Sequence, residues 1–209
     1  MTSLRVGILV PFLYFGTLIV SSLLYPGYSH VRQYASELGA ASAPYPIVFN
    51  AGIVLFGLAI LVALAGFGRA LRALGAGRVL TTLFLLTLGA FGAGMVMGAL
   101  FPMPDPRHGA FGLAFGIHLA PAFLAAALWR SEDHRALRLY LLATVVAGTV
   151  MLAVMMGVGG LVTRANVGMF QRLHAIVVIP WIGVASYALL ARRSAQAGVS
   201  PPNSVRATS

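Results

Sequence analysis

Six apolar runs, each about the length of a bilayer-crossing helix, leave this chain almost no choice of fold. They cover roughly 6–25, 47–68, 79–101, 110–129, 138–160 and 171–191. A spanning helix needs about 20 predominantly apolar residues. Hydrocarbon offers the backbone no hydrogen-bond partners, so helices that satisfy themselves are the economical solution. The connections are short, which predicts antiparallel neighbours. The expected fold is all-α: a polytopic transmembrane bundle of six helices over residues 1–191. A Ser-, Pro- and Ala-rich stretch, 192–209, is expected to be a disordered cytoplasmic tail. The first run, Val6 to Leu24, exceeds the h-region of a signal peptide, about 7–15 residues, and reads as a retained helix. Pro121 and Pro180 lie inside the fourth and sixth runs, where each removes a backbone hydrogen bond and predicts a kink. Gly157, Gly159 and Gly160 predict a loosened end to the fifth.

Composition supports the same solvent. Of the 209 residues, 59% are hydrophobic and 9% are charged, against about 25% charged in an ordinary soluble domain. The formal net charge of +10 does not signal nucleic-acid binding. The basic residues, all of them arginine, sit in short caps between apolar runs and form no stripe. The absence of cysteine excludes disulfides, zinc–thiolate sites and thiol catalysis. The absence of lysine removes the phosphate-binding loop of nucleotide-driven machines, so no nucleotide is expected.

Arginine placement predicts orientation. Arg5, Arg69, Arg72, Arg78, Arg130, Arg135, Arg138, Arg192, Arg193 and Arg206 fall on one side of the six-helix map; Arg32, Arg107, Arg164 and Arg172 fall on the other. The positive-inside rule makes the first side cytoplasmic, with both termini there, and the plasma membrane the expected location.

The remaining polar residues crowd onto the arginine-poor side. Glu132, Asp133 and His134 on the other side read as an ordinary solvated hairpin. Between Ser29, a plausible N-cap, and Gly39, a plausible stop, Val31, Tyr34, Ala35 and Leu38 recur at helical spacing. This predicts a short amphipathic helix able to lie over the bundle as a lid. In the second loop of that side, Phe101-Pro-Met-Pro-Asp-Pro106, the alternating prolines stiffen the backbone and aim Asp105. His118 lies at hydrocarbon depth, where ionisable groups usually face the bundle interior. Arg172 needs a carboxylate or a route to the interface. Glu37 and Asp105 are the two acids on its side, so one of them is its expected partner. Gly94-x-x-x-Gly98 and Gly112-x-x-x-Gly116 allow close approach of the third and fourth helices.

These residues also carry a resemblance. The run Tyr25-Pro-Gly-Tyr-Ser-His-Val-Arg-Gln-Tyr-Ala-Ser-Glu-Leu-Gly39, then Phe101-Pro-Met-Pro-Asp-Pro106, His108-Gly109, His118, and Gly168-Met-Phe-Gln-Arg-Leu173 resembles the bacterial and archaeal six-helix membrane family catalogued as domain of unknown function 998. The resemblance covers nearly the whole chain and implies a six-helix bundle whose polar motifs share one face. It implies no activity. The positions it carries over are Ser36, Glu37, Asp105, His108, His118, Gln171 and Arg172.

Three functions compete on this reading. The first is a polar site near the extracytoplasmic side that binds a lipid or small amphiphile, in transport, sensing or lipid-linked assembly. Its candidate residues are Glu37, Asp105, His118, Arg172, His108, Gln171 and Ser36. The second is a membrane-embedded, metal-dependent lipid hydrolase, with His30, His108, His118 and His174, together with Asp105 and Glu37, able to supply a three-ligand zinc site and a general base. The third is a haem-binding electron carrier using His118 and His174. Neither metal nor haem is favoured, because no helix carries a paired-ligand spacing. Membrane lipids, a second copy or another membrane protein are the partners such a chain can meet.

Overall fold

The computed structural model describes residues 2–198, the side chains at 110, 111 and 193–198 excepted. The helices are α1 (Thr2–Leu23), α2 (Pro46–Ala73), α3 (Arg78–Leu100), α4 (Gly116–Ala127), α5 (Arg135–Met155), α6 (Val167–Val178) and α7 (Pro180–Gly198). They make six segments long and apolar enough to span a membrane, with α6 and α7 forming one broken span. No strand occurs among the described residues. Each helix packs on its successor and α7 returns to α1, which closes the bundle into a ring. Two ends result. One holds the chain starts and stops rich in arginine. The other holds the connections 24–45, 101–115 and 156–166, and is called the roof end below.

The core is apolar and runs the length of the ring through Leu4, Phe56, Ile60, Phe67, Phe84, Leu88, Leu124 and Trp181. Large apolar side chains such as Phe12, Val79, Leu86 and Val146 point outward and are exposed. In water such a girdle would be an association surface; around a membrane bundle it is the lipid contact. A second, smaller cluster joins Leu18, Phe49, Ile53 and Ala99 to Ala35 and Leu38 of the first roof connection, and so anchors that connection into the bundle.

Several elements depart from the sequence expectation. The first roof segment is not one helix. A turn closes between Gln33 N–H and the Ser29 carbonyl, Tyr34 is extended, and a short 3-10 helix follows over Ala35–Gly39. Glu37 causes the break, because its carboxylate accepts from the Tyr34 backbone N–H at 2.7 Å and caps the second piece. Val31 and Tyr34 are consequently exposed, while Ala35 and Leu38 are buried. The fourth span begins as 3-10 turns over Pro106–Phe115, with Gly112 at φ +79°, and becomes α-helical only at Gly116. Such irregular backbone is tolerated at membrane depth where protein covers it. The cover is α3: a Cβ on Gly116 would stand 2.0 Å from the Thr87 carbonyl oxygen, and one on Gly94 would meet Leu113 at 3.0 Å. The close approach of the two segments therefore uses Gly94 and Gly116, whereas Gly112 supplies a left-handed turn. Pro180 breaks the last span, and Pro121 leaves α4 continuous. Gly157, at φ +98°, ends α5. The final helix continues past Ala191 to Gly198, so the first part of the expected tail is helical; residues 199–209 lie outside the described residues.

Candidate functional site

Beneath the roof, two adjoining cavities of about 320 and 310 Å³ occupy that half of the ring. Both have mostly apolar walls to which α1, α3, α6 and the 106–115 segment contribute; α4 and α5 complete the first, and α2 with the first roof connection the second. Tyr14, Met95, Ala114 and Gln171 line both, so one partition separates them. The first extends to His118, His174, Leu152 and Val178. It reaches the surface along the irregular segment, where its lining residues Gly112 and Phe115 are exposed. The second extends to Ser36, Asn50 and His108.

His118 comes from α4 and His174 from α6. Their Nε2 atoms lie 3.2 Å apart and the rings stack with centroids 5.0 Å apart. Gly148 of α5 lies beside the pair, where a Cβ would stand 3.0 Å from Val178 Cγ1 and in ordinary contact with the His118 ring. In the neutral pair one imidazole donates its Nε2 proton to the Nε2 of the other, which satisfies those two nitrogens within the cavity wall.

The other candidate residues build the roof. Arg172 pairs with neither acid. Its guanidinium donates to the Gln33 carbonyl at 2.7 Å, to the Gly168 carbonyl at 3.1 Å, to Gln171 Oε1 at 3.1 Å and to the Tyr28 hydroxyl. Gln171 Oε1 also accepts from Ala35 N–H at 2.7 Å, and Met169 N–H donates to the Val31 carbonyl. The start of α6 is thus latched to the first roof connection by backbone-directed bonds. Gly168 permits the contact, because a Cβ there would stand 2.4 Å from the Gln33 carbonyl oxygen. Tyr28 remains a neutral phenol, since burial pushes it up to about 12 in spite of the neighbouring guanidinium. Burial, and then Arg172, lower His30, whose ring stands edge-on to Tyr28.

Each acid is spent locally. Glu37 takes hydrogen bonds from Gln33 Nε2 and Tyr34 N–H. Asp105 pairs with Arg107 at 2.7 Å and also accepts the Arg107 backbone N–H. Those bonds hold its carboxyl down at about 2. The Arg107 guanidinium lies over the Phe101 ring at 3.8 Å, so the Pro-stiffened loop closes on itself. His108 Nδ1 lies 2.9 Å from the Gly98 carbonyl, and the Ser36 hydroxyl donates to Met103 sulfur at 3.3 Å, tying the two roof connections together.

The expected convergence of Glu37, Asp105, His118 and Arg172 on one cavity is therefore corrected. His118 lines a cavity; the two acids and Arg172 frame its roof, because nearer backbone N–H and carbonyl groups claim them first. The candidate metal set is likewise dispersed: His118 meets His174, while His108 and His30 face other partners, and the described residues hold no group of three or more metal-ligating side chains. Haem ligation by His118 and His174 also meets an obstacle. Their rings stack on each other with Nε2 atoms 3.2 Å apart, which leaves no space for a macrocycle held between the two.

Tyr14 and Asn50 were not among the candidates drawn from the sequence. A tyrosine in an apolar run reads as packing. Asn50, however, is the one carboxamide inside the second run, and that was a usable signal.

The chain belongs to the family described as "Protein of unknown function (DUF998)", whose model matches residues 8–188. The match spans all six membrane segments, and the chain is accordingly a multi-pass membrane protein of an uncharacterised family. No curated protein and no solved structure matches it.

Proposed function

We propose that this protein is a binding module for a lipid or small amphiphile, which it takes into the paired cavities under the roof with the arginine-rich end in the cytoplasm. The observation that carries the reading is the coincidence of apolar volume with a few polar groups in the same walls. Each cavity falls at the lower end of the range of small-molecule sites, about 300–1,000 Å³. Neither is lined by an ionised carboxylate or a guanidinium. An apolar tail suits these mostly apolar walls, which meet it much as the surrounding acyl chains do. The mouth at Gly112 and Phe115 faces the girdle, so a ligand can enter from the membrane without crossing water.

The test is photo-crosslinking with a diazirine-bearing fatty alcohol in lipid nanodiscs, followed by peptide mapping. Labelling concentrated on the cavity walls around Met95, Ala114 and Val178 is the expected result. Labelling spread evenly over outward residues such as Phe12 and Leu86 would overturn the proposal.

A further inference from the structure

We infer that the ligand's polar part is uncharged and combines an acyl carbonyl with a free hydroxyl, as in an acylglycerol or a hydroxylated fatty amide. The inference rests on the amphiphile-binding reading and adds the headgroup. It follows from which hydrogen-bonding atoms of the cavities are already used. Gln171 Oε1 accepts from both Ala35 N–H and Arg172, which fixes the orientation of its carboxamide and leaves its Nε2 hydrogens without a partner. The Tyr14 hydroxyl, among the described residues, has no hydrogen-bond partner either. Both residues line the two cavities at their partition, so that wall presents two neutral donors and calls for an acceptor.

The second cavity has the opposite character. Asn50 uses its Nδ2 on the Gly39 carbonyl at 2.9 Å, which leaves Oδ1 as a free acceptor. His108 Nδ1 faces two carbonyl oxygens, at 2.9 and 3.1 Å, so it carries the proton and Nε2 is an acceptor. Two acceptors call for a donor. A carbonyl at the Tyr14–Gln171 partition with a hydroxyl extending toward Asn50 and His108 satisfies all four groups.

Charge argues the same way. A phosphate brought into walls with no fixed cation would lose its hydration without an ion pair, a penalty of several kcal/mol. The guanidinium of Arg172 has its terminal nitrogens bonded to Tyr28, Gln33, Gly168 and Gln171 and lines neither cavity, although its buried Nε has no hydrogen-bond partner.

The experiment measures occupancy by native mass spectrometry of the full chain in nanodiscs, titrated with dioleoylglycerol, its O-methyl ether, an N-acyl amino alcohol, a prenylated benzoquinone and dioleoyl phosphatidate. Dioleoylglycerol or the N-acyl amino alcohol should bind at least about tenfold more tightly than the ether, the quinone or the phosphatidate, one lost hydrogen bond in a dry site being worth about tenfold. Preference between the ester and the amide identifies the source of the carbonyl. Tyr14→Phe should weaken the preferred ligand about tenfold while leaving the thermal midpoint in place. Phosphatidate binding as tightly, or indifference to both the ether and Tyr14→Phe, would overturn the headgroup assignment and leave the amphiphile reading standing. Failure of every probe to bind would remove both.

Discussion

The Nε2 atoms of His118 and His174 meet at 3.2 Å across α4 and α6. Two imidazoles so placed share one proton, and each is the other's only hydrogen-bond partner among the described residues. Removing either leaves a widowed ring in an apolar wall. In a double-mutant cycle, His118→Ala and His174→Ala should couple by about 0.5–1.5 kcal/mol in unfolding experiments in mild detergent. Additive losses, within about 0.3–0.5 kcal/mol, would mean that the rings do not depend on each other.

The roof latch predicts a different phenotype. Arg172→Ala removes charge-assisted bonds to two carbonyls and to the Tyr28 hydroxyl, and should cost about 1.5–3 kcal/mol. Trypsin cleavage at Arg32 should accelerate in parallel. Arg172→Lys should not restore the wild-type rate, because a point-charge ammonium cannot reach the acceptors that a planar fork holds together. Full rescue by lysine would show that charge, not geometry, is what matters there.

Backbone proximity can be tested without touching a polar group. Gly168→Ala places a methyl 2.4 Å from the Gln33 carbonyl oxygen, and displacing the roof connection should cost about 1–3 kcal/mol. Gly16→Ala, where nothing lies within 4 Å, should be neutral or stabilising by up to about 1 kcal/mol. Thermal unfolding of the two variants side by side checks the contrast; equal effects would contradict it.

Asp105 makes the pH prediction. Its folded-state value of about 2 lies below the ordinary 3.8, so the Asp105–Arg107 clip contributes in full above about pH 4 and is lost as pH falls through about 2. A carboxyl carbon-13 titration of Asp105 should show its midpoint near that value, and Arg107→Ala should move the midpoint up toward the ordinary range. A midpoint near 4 in the unmodified chain would show that the clip is not formed.

Orientation is tested by fusion reporters. A reporter after Gly75 should fall on the cytoplasmic side and one near Arg164 on the opposite side. The reverse pattern in both would invert the proposed placement of the cavities.

The sequence announced the six spans clearly, because hydrophobic length is a one-dimensional property. It also pointed to the roof motifs and to the depth of His118. It could not announce where the polar groups would find partners. Charge bookkeeping pairs Arg172 with an acid, yet carbonyls of the chain at Gln33 and Gly168 stand closer, and Glu37 is consumed in capping the turn after Tyr34. Nor could apolarity reveal the 3-10 run at Pro106–Phe115, although Gly109 and Gly112 weaken it as an α-helix; the close fit of Gly116 against the Thr87 carbonyl is a tertiary fact. Tyr14 escaped for the same reason: what distinguishes it is the empty space beside its hydroxyl.

Retention of an amphiphile by the purified chain tests the central claim most directly. Native mass spectrometry should find the wild-type protein carrying a lipid-sized adduct that survives detergent exchange. In Ala114→Trp, whose indole would fill the partition of both cavities, the adduct should be lost while α-helical circular dichroism and monodispersity are kept. An adduct retained unchanged by a folded Ala114→Trp variant, or no adduct on the wild-type chain under any solubilisation, would contradict the account.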